Sequence, residues 1–422
     1  MRKTHTALLG KTIRHASRLR GGGSALPGLI VEKLDKDFLS HTLSQLPLGV
    51  VMVSGTNGKT TTTKMVVELL RSQGLKVFTN PTGSNFKRGV ISSLIDSINL
   101  KGNLDADIAV LELDEAHAVH FVREVQPAYA LILNVMRDQL DRFGEIDKTA
   151  DMLATITKTA SKGVVLNRED PLIKAIGSQL KNVDVRYFGL NAKLRSHFPS
   201  DDAMYKDDRA SRQDVAADVT LENFKDQKAV FKMDGKNIET NLKITGIYNT
   251  FNATAALSLV RLILGEKIDQ TKLIATLENI KPAFGRGEKM TIHGQDLELV
   301  LVKNPSGFRL GLKSFSAKNI ATMIAINDNY ADGRDMSWLW DVNFESLTET
   351  GVRMIGGIRA YDMALRLQYD GVKFDYVETD LKKALDTFVN ETARPKRIFC
   401  TYTAMLTLRK ELQKYAELER VL

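Results

Sequence analysis

The sequence predicts an α/β protein. A central domain is built on a mostly parallel, doubly wound sheet, and a smaller C-terminal α/β domain follows. Three observations carry this. Between residues 50 and about 190, short β-branched apolar runs alternate with helical stretches, the pattern of a parallel sheet with crossover helices on its faces. The first run leads into a glycine-rich turn, a Lys-Thr pair and a helix, which is the order of a phosphate site. After the Pro- and Gly-containing stretch Pro282-Ala-Phe-Gly-Arg-Gly287, which reads as a hinge, the alternation resumes over 290–422.

Residues 1–40 read as a basic helix and linker. Arg2, Lys3, Lys11, Arg14, Arg18 and Arg20 precede a Gly21-Gly22-Gly23 joint, and the helix presents either a solvated face or one for an anionic membrane surface. A helix near 29–36 follows. Residues 41–288 form the central domain, with strands expected at 50–54, 75–79, 107–113, 128–133, 163–166 and 184–188. A helix over 59–73 ends at Gly74. Residues 190–240 are charged and turn-rich and read as an inserted excursion with small strands. Helices from Gly246 to about Leu264 and over 269–278 close the domain. Residues 289–422 hold strands at 298–302, 321–326, 351–355, 373–376 and 397–402. The last helix, near 403–420, turns Met405, Leu408, Leu412 and Tyr415 inward.

Bulk properties narrow the function. The 422 residues allow two or three domains. One cysteine, Cys400, excludes an internal disulfide and a multi-cysteine zinc site, and fits a cytoplasmic location. No apolar run reaches the ~18–20 residues of a membrane span. The net charge of +8 suits an anionic surface or a phosphate-rich substrate. Nucleic acid is not expected, because no compact basic motif with interleaved aromatics accompanies the charge.

The candidate chemistry starts at Gly55-Thr56-Asn57-Gly58-Lys59-Thr60-Thr61. The strict phosphate-loop pattern needs a glycine where Val53 stands, so this is a shortened variant. Loop and helix N–H groups would face the phosphates, with Lys59 as a point charge. Thr60 and Glu112, the latter ending an apolar strand on the same sheet edge, would ligate Mg²⁺. Asp114, Glu115, Asp138 and Asp141 are further acids at strand ends. The densest cluster runs from Asn327 to Asp341 and includes Asp328, Asp332, Arg334, Asp335, Ser337, Trp338 and Trp340. It reads as a functional loop anchored by its tryptophans rather than a self-capped turn. Lys303 and Asn304 begin a second loop, a candidate for substrate contact. Cys400 reads as a buried structural thiol.

These motifs resemble a known family. The loop at 55–61, Glu112, Arg137-Asp138-Gln139-Leu140-Asp141, the Asn249/Asn252 pair and Gly285-Arg286-Gly287-Glu288 are similar to the central ATPase domain of Mur ligases, which folylpolyglutamate synthases share. Lys303-Asn-Pro-Ser-Gly-Phe308, Asp332-Gly-Arg-Asp-Met-Ser-Trp-Leu-Trp-Asp341 and Gly357-Ile-Arg-Ala-Tyr-Asp-Met-Ala364 resemble the MurT family, ligase-like subunits of lipid II isoglutaminyl synthases. The resemblance runs from about Arg20 to the end of the chain.

It implies a Mur ligase-type ATPase domain using ATP and Mg²⁺. Asn249 or Asn252 would touch the adenine, and Arg286 would join the ATP site from the hinge side. The implied reaction phosphorylates the α-carboxylate of D-glutamate in the lipid II stem peptide, and ammonia then displaces phosphate to give D-isoglutamine. The substrate is expected between the domains. The implied partner is a GatD-type class I glutamine amidotransferase, to which the chain would lend Asp335 or Asp332, with Asp335 preferred. The location would be cytoplasmic, peripheral at the inner face of the plasma membrane. Alternatives are a Mur or folylpolyglutamate-type amino-acid ligase, and a non-catalytic ATP-binding scaffold.

There are departures. The excursion lacks the four cysteines of the zinc ribbon common in MurT proteins, so no zinc is expected. Gln139 stands where Mur ligases usually have histidine, which removes a ligand for a second metal. The roughly fifty residues ahead of the phosphate loop leave no room for the UDP-sugar domain of Mur ligases.

Overall fold

The computed structural model describes residues 2–19, 26–81, 85–136, 146–198, 215–225, 227–244, 247–281, 286–314, 317–390 and 394–416. The expected glycine joint, the 137–141 acid motif and Gly285 lie outside the described residues. Two compact units are formed. The first comprises the described residues of Met1–Val135, Asp147–Lys243 and Asn249–Ile280, the second those of Met136–Ile146, Ile244–Tyr248 and Lys281–Leu422.

The first unit holds a sheet of nine strands: β1 (Gly49–Ser54), β2 (Val77–Thr79), β3 (Ile108–Glu112), β4 (Tyr129–Ile132), β5 (Gly163–Asn167), β6 (Asp184–Leu190), β7 (Val219–Lys225), β8 (Lys228–Met233) and β9 (Lys236–Asn241). Their order is β2-β3-β1-β4-β5-β6-β7-β8-β9. Pairing is parallel from β2 to β7 and antiparallel from β7 to β9. β3, β4 and β5 are buried along their whole length, as expected of strands covered on both faces.

The stretch 190–240 corrects the sequence reading. Its small strands do not leave the sheet but extend it. β7, β8 and β9 alternate buried and exposed residues, so one face meets solvent, and their polar outward positions made them look like an excursion.

In the second unit β10 (Arg286–Ile292), β11 (Gln295–Leu301), β12 (Ala321–Ala325), β13 (Val352–Gly356), β14 (Phe374–Glu378) and β15 (Lys396–Cys400) form a sheet ordered β10-β11-β15-β12-β13-β14. Pairing is parallel except in the β10–β11 hairpin. The hairpin turns at His293 and Gly294, both at positive φ, as a tight two-residue turn requires. β10 was not expected, and the last two residues of the hinge motif, Arg286 and Gly287, open it. Two apolar clusters cover the sheet. One centres on Phe308, Trp338, Phe344 and Phe399, the other on Ile398, Phe388, Met405 and Leu408.

Candidate functional site

β1 sits between β3 and β4, so the chain beyond its carboxyl end enters the crevice where ligands bind in such sheets. Gly55 and Gly58 take positive φ (129° and 88°), which lets the loop reverse into the helix Lys59–Ser72. A Cβ on Gly58 would stand 2.6 Å from Asn252 Oδ1, so this cradle also needs glycine for space. Asn252 therefore lies against the loop itself, while Asn249 is half-buried on the same helix, Ile247–Leu264.

Asn134, just past β4, locks the loop. Its carbonyl accepts from Thr56 N at 3.0 Å, its Oδ1 from Asn57 N at 2.9 Å, and its Nδ2 donates to Asn57 O at 2.9 Å. Sequence reasoning missed this role. The signal was an Asn directly after the strand beside β1, readable only once strand order is known.

Lys59 is 7% exposed, and its ammonium donates to Gly55 O at 2.6 Å and Glu115 Oε1 at 3.1 Å. Glu115, read from sequence as a loop acid, is thus the buried counter-ion of Lys59. Thr60 Oγ1 donates to Glu112 Oε1 at 2.9 Å. Asn80 fixes the backbone of Glu112 through two hydrogen bonds of 2.9 and 3.0 Å. The two expected metal ligands thus touch, presenting hard oxygens beside the loop. That fits Mg²⁺, which takes one or two carboxylates and completes its shell with phosphate and water. Thr61 is buried in the first turn. Arg286 opens β10, and its side chain lies outside the described residues.

In the second unit the carboxyl ends of β12, β13 and β15 are stitched together. Asn327 N donates to Thr401 Oγ1 at 2.9 Å, its Nδ2 donates to Thr403 Oγ1 at 3.1 Å, and its Oδ1 accepts from Ile358 N at 3.0 Å. Arg359 pairs with Asp328 at 2.6 Å.

The two candidate aspartates differ. Asp332 is 4% exposed, and its oxygens accept from Thr403 N at 2.7 Å, from the Thr403 hydroxyl and from Asn329 N at 3.1 Å. Burial pushes its carboxyl above the usual range, and the Thr403 bonds oppose this. Asp335 is half-buried and takes one hydrogen bond, from Ser337 N at 2.9 Å. Trp338 is buried against Phe308, while Trp340 is 49% exposed and stacks edge-on against Tyr369 at 5.0 Å. So one of the two tryptophans, not both, anchors the loop.

Asn304 is fully buried and accepts from Gly307 N at 2.7 Å, which caps the helix Pro305–Ser314. Lys303 is half-buried. Cys400 is fully buried, and burial with Asp332 nearby pushes its thiol up, so it is no nucleophile.

Comparison with known proteins agrees with this geometry. The Mur ligase middle domain matches residues 53–260 and the MurT ligase C-terminal domain residues 301–405. The chain is 32% identical to the MurT subunit of the glutamine-hydrolysing lipid II isoglutaminyl synthase of Streptococcus pneumoniae, covering 97% of each. It is 28% identical to the MurT subunit of Staphylococcus aureus, over 91% of this chain and 92% of that one. Among solved structures, MurF of Acinetobacter baumannii superimposes with TM-score 0.69 at 19% identity, over 91% of this chain and 80% of that one. MurF of Thermotoga maritima in complex with ADP gives TM-score 0.67 at 18% identity, over 92% and 84%. A shared Mur ligase fold carries the glycine-rich loop of the first unit, and a MurT-type second unit carries the two aspartates: the chain belongs to the MurT family of Mur ligase-like proteins.

Proposed function

We propose that this chain amidates the α-carboxylate of D-glutamate in the lipid II stem peptide, using ATP and ammonia released by a GatD-type glutaminase subunit. The relatives named as subunits of glutamine-hydrolysing lipid II isoglutaminyl synthases support the reading. In the reaction a carboxylate oxygen attacks the γ-phosphorus and ADP leaves. Ammonia then attacks the acyl carbon, phosphate leaves, and a proton passes to solvent.

Lys59, with Thr60 and Glu112, would hold the nucleotide phosphates and Mg²⁺. The metal supplies charge neutralisation when bound. Glu115 pairs with the Lys59 ammonium, which also donates to Gly55 O, so a bound phosphate would take over one of these bonds while the charge stays in place.

The observation that carries the partnership is the contrast between the aspartates. Asp332 is buried and taken up by Thr403 beyond the loop, whereas Asp335 is half-buried and held by the following turn. A glutaminase needs a cysteine, a histidine and a group orienting the histidine. The buried Cys400 cannot serve, so the partner supplies cysteine and histidine and Asp335 the acid. Beside this loop Tyr361, Leu365 and Tyr369 expose 69, 49 and 72% of their surfaces at four-residue spacing on one helix, Ala360–Tyr369, and Trp340 joins Tyr369. An exposed aromatic stripe of this kind suits a protein partner.

Mass analysis of lipid II after incubation with the chain, ATP and ammonium tests the reaction. Exchange of OH for NH₂ on the second residue is expected. Addition of a whole amino acid, or no ATP-dependent change, overturns the reading.

A further inference from the structure

The N-terminal helix carries an unusual share of the chain's charge. Six Lys and Arg and no acid lie before Glu32, against a net charge of +8 for the whole chain. The helix Arg2–Leu19 packs on the helices Leu26–Leu34 and Lys87–Ser97. Its inward face is set by Gly10, where a Cβ would stand 3.2 Å from Val31 and 3.3 Å from Ile95. Buried Ala7 and Thr6, whose hydroxyl donates to Asp35 at 3.2 Å, share that face. Arg14 sits at its flank, paired with Asp96 at 3.0 Å.

Between residues 5 and 16 the opposite face is exposed. His5, Leu8, Leu9, Thr12, His15 and Ala16 recur at helical spacing, with Leu8 at 55% and Leu9 at 44% exposure. Two leucines on the outward face of an acid-free basic helix match a helix lying in a bilayer interface. No helix among the described residues is long and apolar enough to cross a membrane.

We propose that the outward face of the N-terminal helix docks the protein on an anionic lipid surface, with Leu8 and Leu9 entering the headgroup layer and the basic charge of the segment, Lys11 included, drawn to lipid phosphates. The occupant follows from charge complementarity. An acid-free basic segment gains from negative surface potential, and the gain falls with salt. The inference rests on the lipid II reading, because a lipid-anchored substrate gives the docking its use.

The test uses the full chain and vesicles without substrate. Flotation with mixed phosphatidylglycerol/phosphatidylcholine vesicles is compared with phosphatidylcholine alone, at low and high salt. Salt-sensitive binding to the anionic vesicles alone is expected. The Leu8→Ala/Leu9→Ala double variant and Lys11→Glu should each bind them at least about tenfold more weakly, with melting curves unchanged. Amidation of a water-soluble short-chain lipid II analogue should be unaffected, while amidation of full-length lipid II in vesicles slows.

Absence of vesicle binding by the unaltered chain, or equal binding by both variants, overturns the proposal. Because vesicle binding is read without catalysis, its failure is separable from failure of the reaction. A chain that binds vesicles but never amidates sinks the reaction alone.

Discussion

Single residues decide what the phosphate loop can do. Lys59 is buried, and its ammonium bonds to the loop at Gly55 O and to Glu115, so its work is electrostatic rather than packing. Lys59→Ala should abolish ATP-dependent amidation, with a drop in melting temperature because Glu115 is left buried and unpaired. An amidation assay beside a melting curve checks this, and retained activity would refute the assignment. Asp332 carries a pH signature. Its carboxyl is raised by burial, so the folded chain binds that proton more tightly than the unfolded chain does. Its contribution to stability therefore grows as pH falls from neutral through the raised value. The melting-temperature difference between the unaltered protein and Asp332→Asn should widen in favour of the unaltered protein over that fall. A flat difference would mean that the buried carboxylate does not titrate there. At this scale the sequence revealed residue types but not partners. That Thr60 and Glu112 lie together beside Lys59 followed from motif order, whereas Asn134, Asn80 and the Glu115 ion pair depend on which strands are neighbours.

Elements were legible where burial is two-sided. The expected strands at 50–54, 107–113, 128–133 and 163–166 lie within a residue or two of β1, β3, β4 and β5, because continuous apolar runs leave little ambiguity. The misses have physical causes. β7, β8 and β9 present polar side chains on alternate positions, so the small strands expected there resembled an excursion rather than part of the main sheet, and β10 hides behind a His-Gly turn next to the expected hinge. The element that matters most is the β1–loop–helix unit. Gly58→Ala would force a side chain into positive φ at 88° and against Asn252. The strain should cost about 1–2 kcal/mol, and the displaced loop should lose nucleotide binding. Thermal melting with and without ATP reads both. A full ATP-induced shift in the variant would show that the loop tolerates a Cβ and does not cradle phosphate.

At the scale of the molecule, two α/β units answer two chemical needs, and the sequence showed both through its motifs. The phosphate loop marks the first unit, and the aspartate and tryptophan cluster marks the second. Motif reading leaned to Asp335 but had no partner to set Asp332 apart, since both sit in one short loop. The choice rests on Thr403, which lies far along the chain and occupies Asp332 from the end of β15. The central claim is that Asp335 completes a glutaminase site in a partner. Its most direct test is Asp335→Asn co-purified with the glutaminase subunit, assayed for glutamine hydrolysis and separately for amidation driven by ammonium chloride. An orienting carboxylate is worth orders of magnitude, about 10⁴-fold in the best-known triad. The account predicts that hydrolysis collapses while ammonium-driven amidation persists. Normal glutamine hydrolysis by this variant in an intact complex would contradict it.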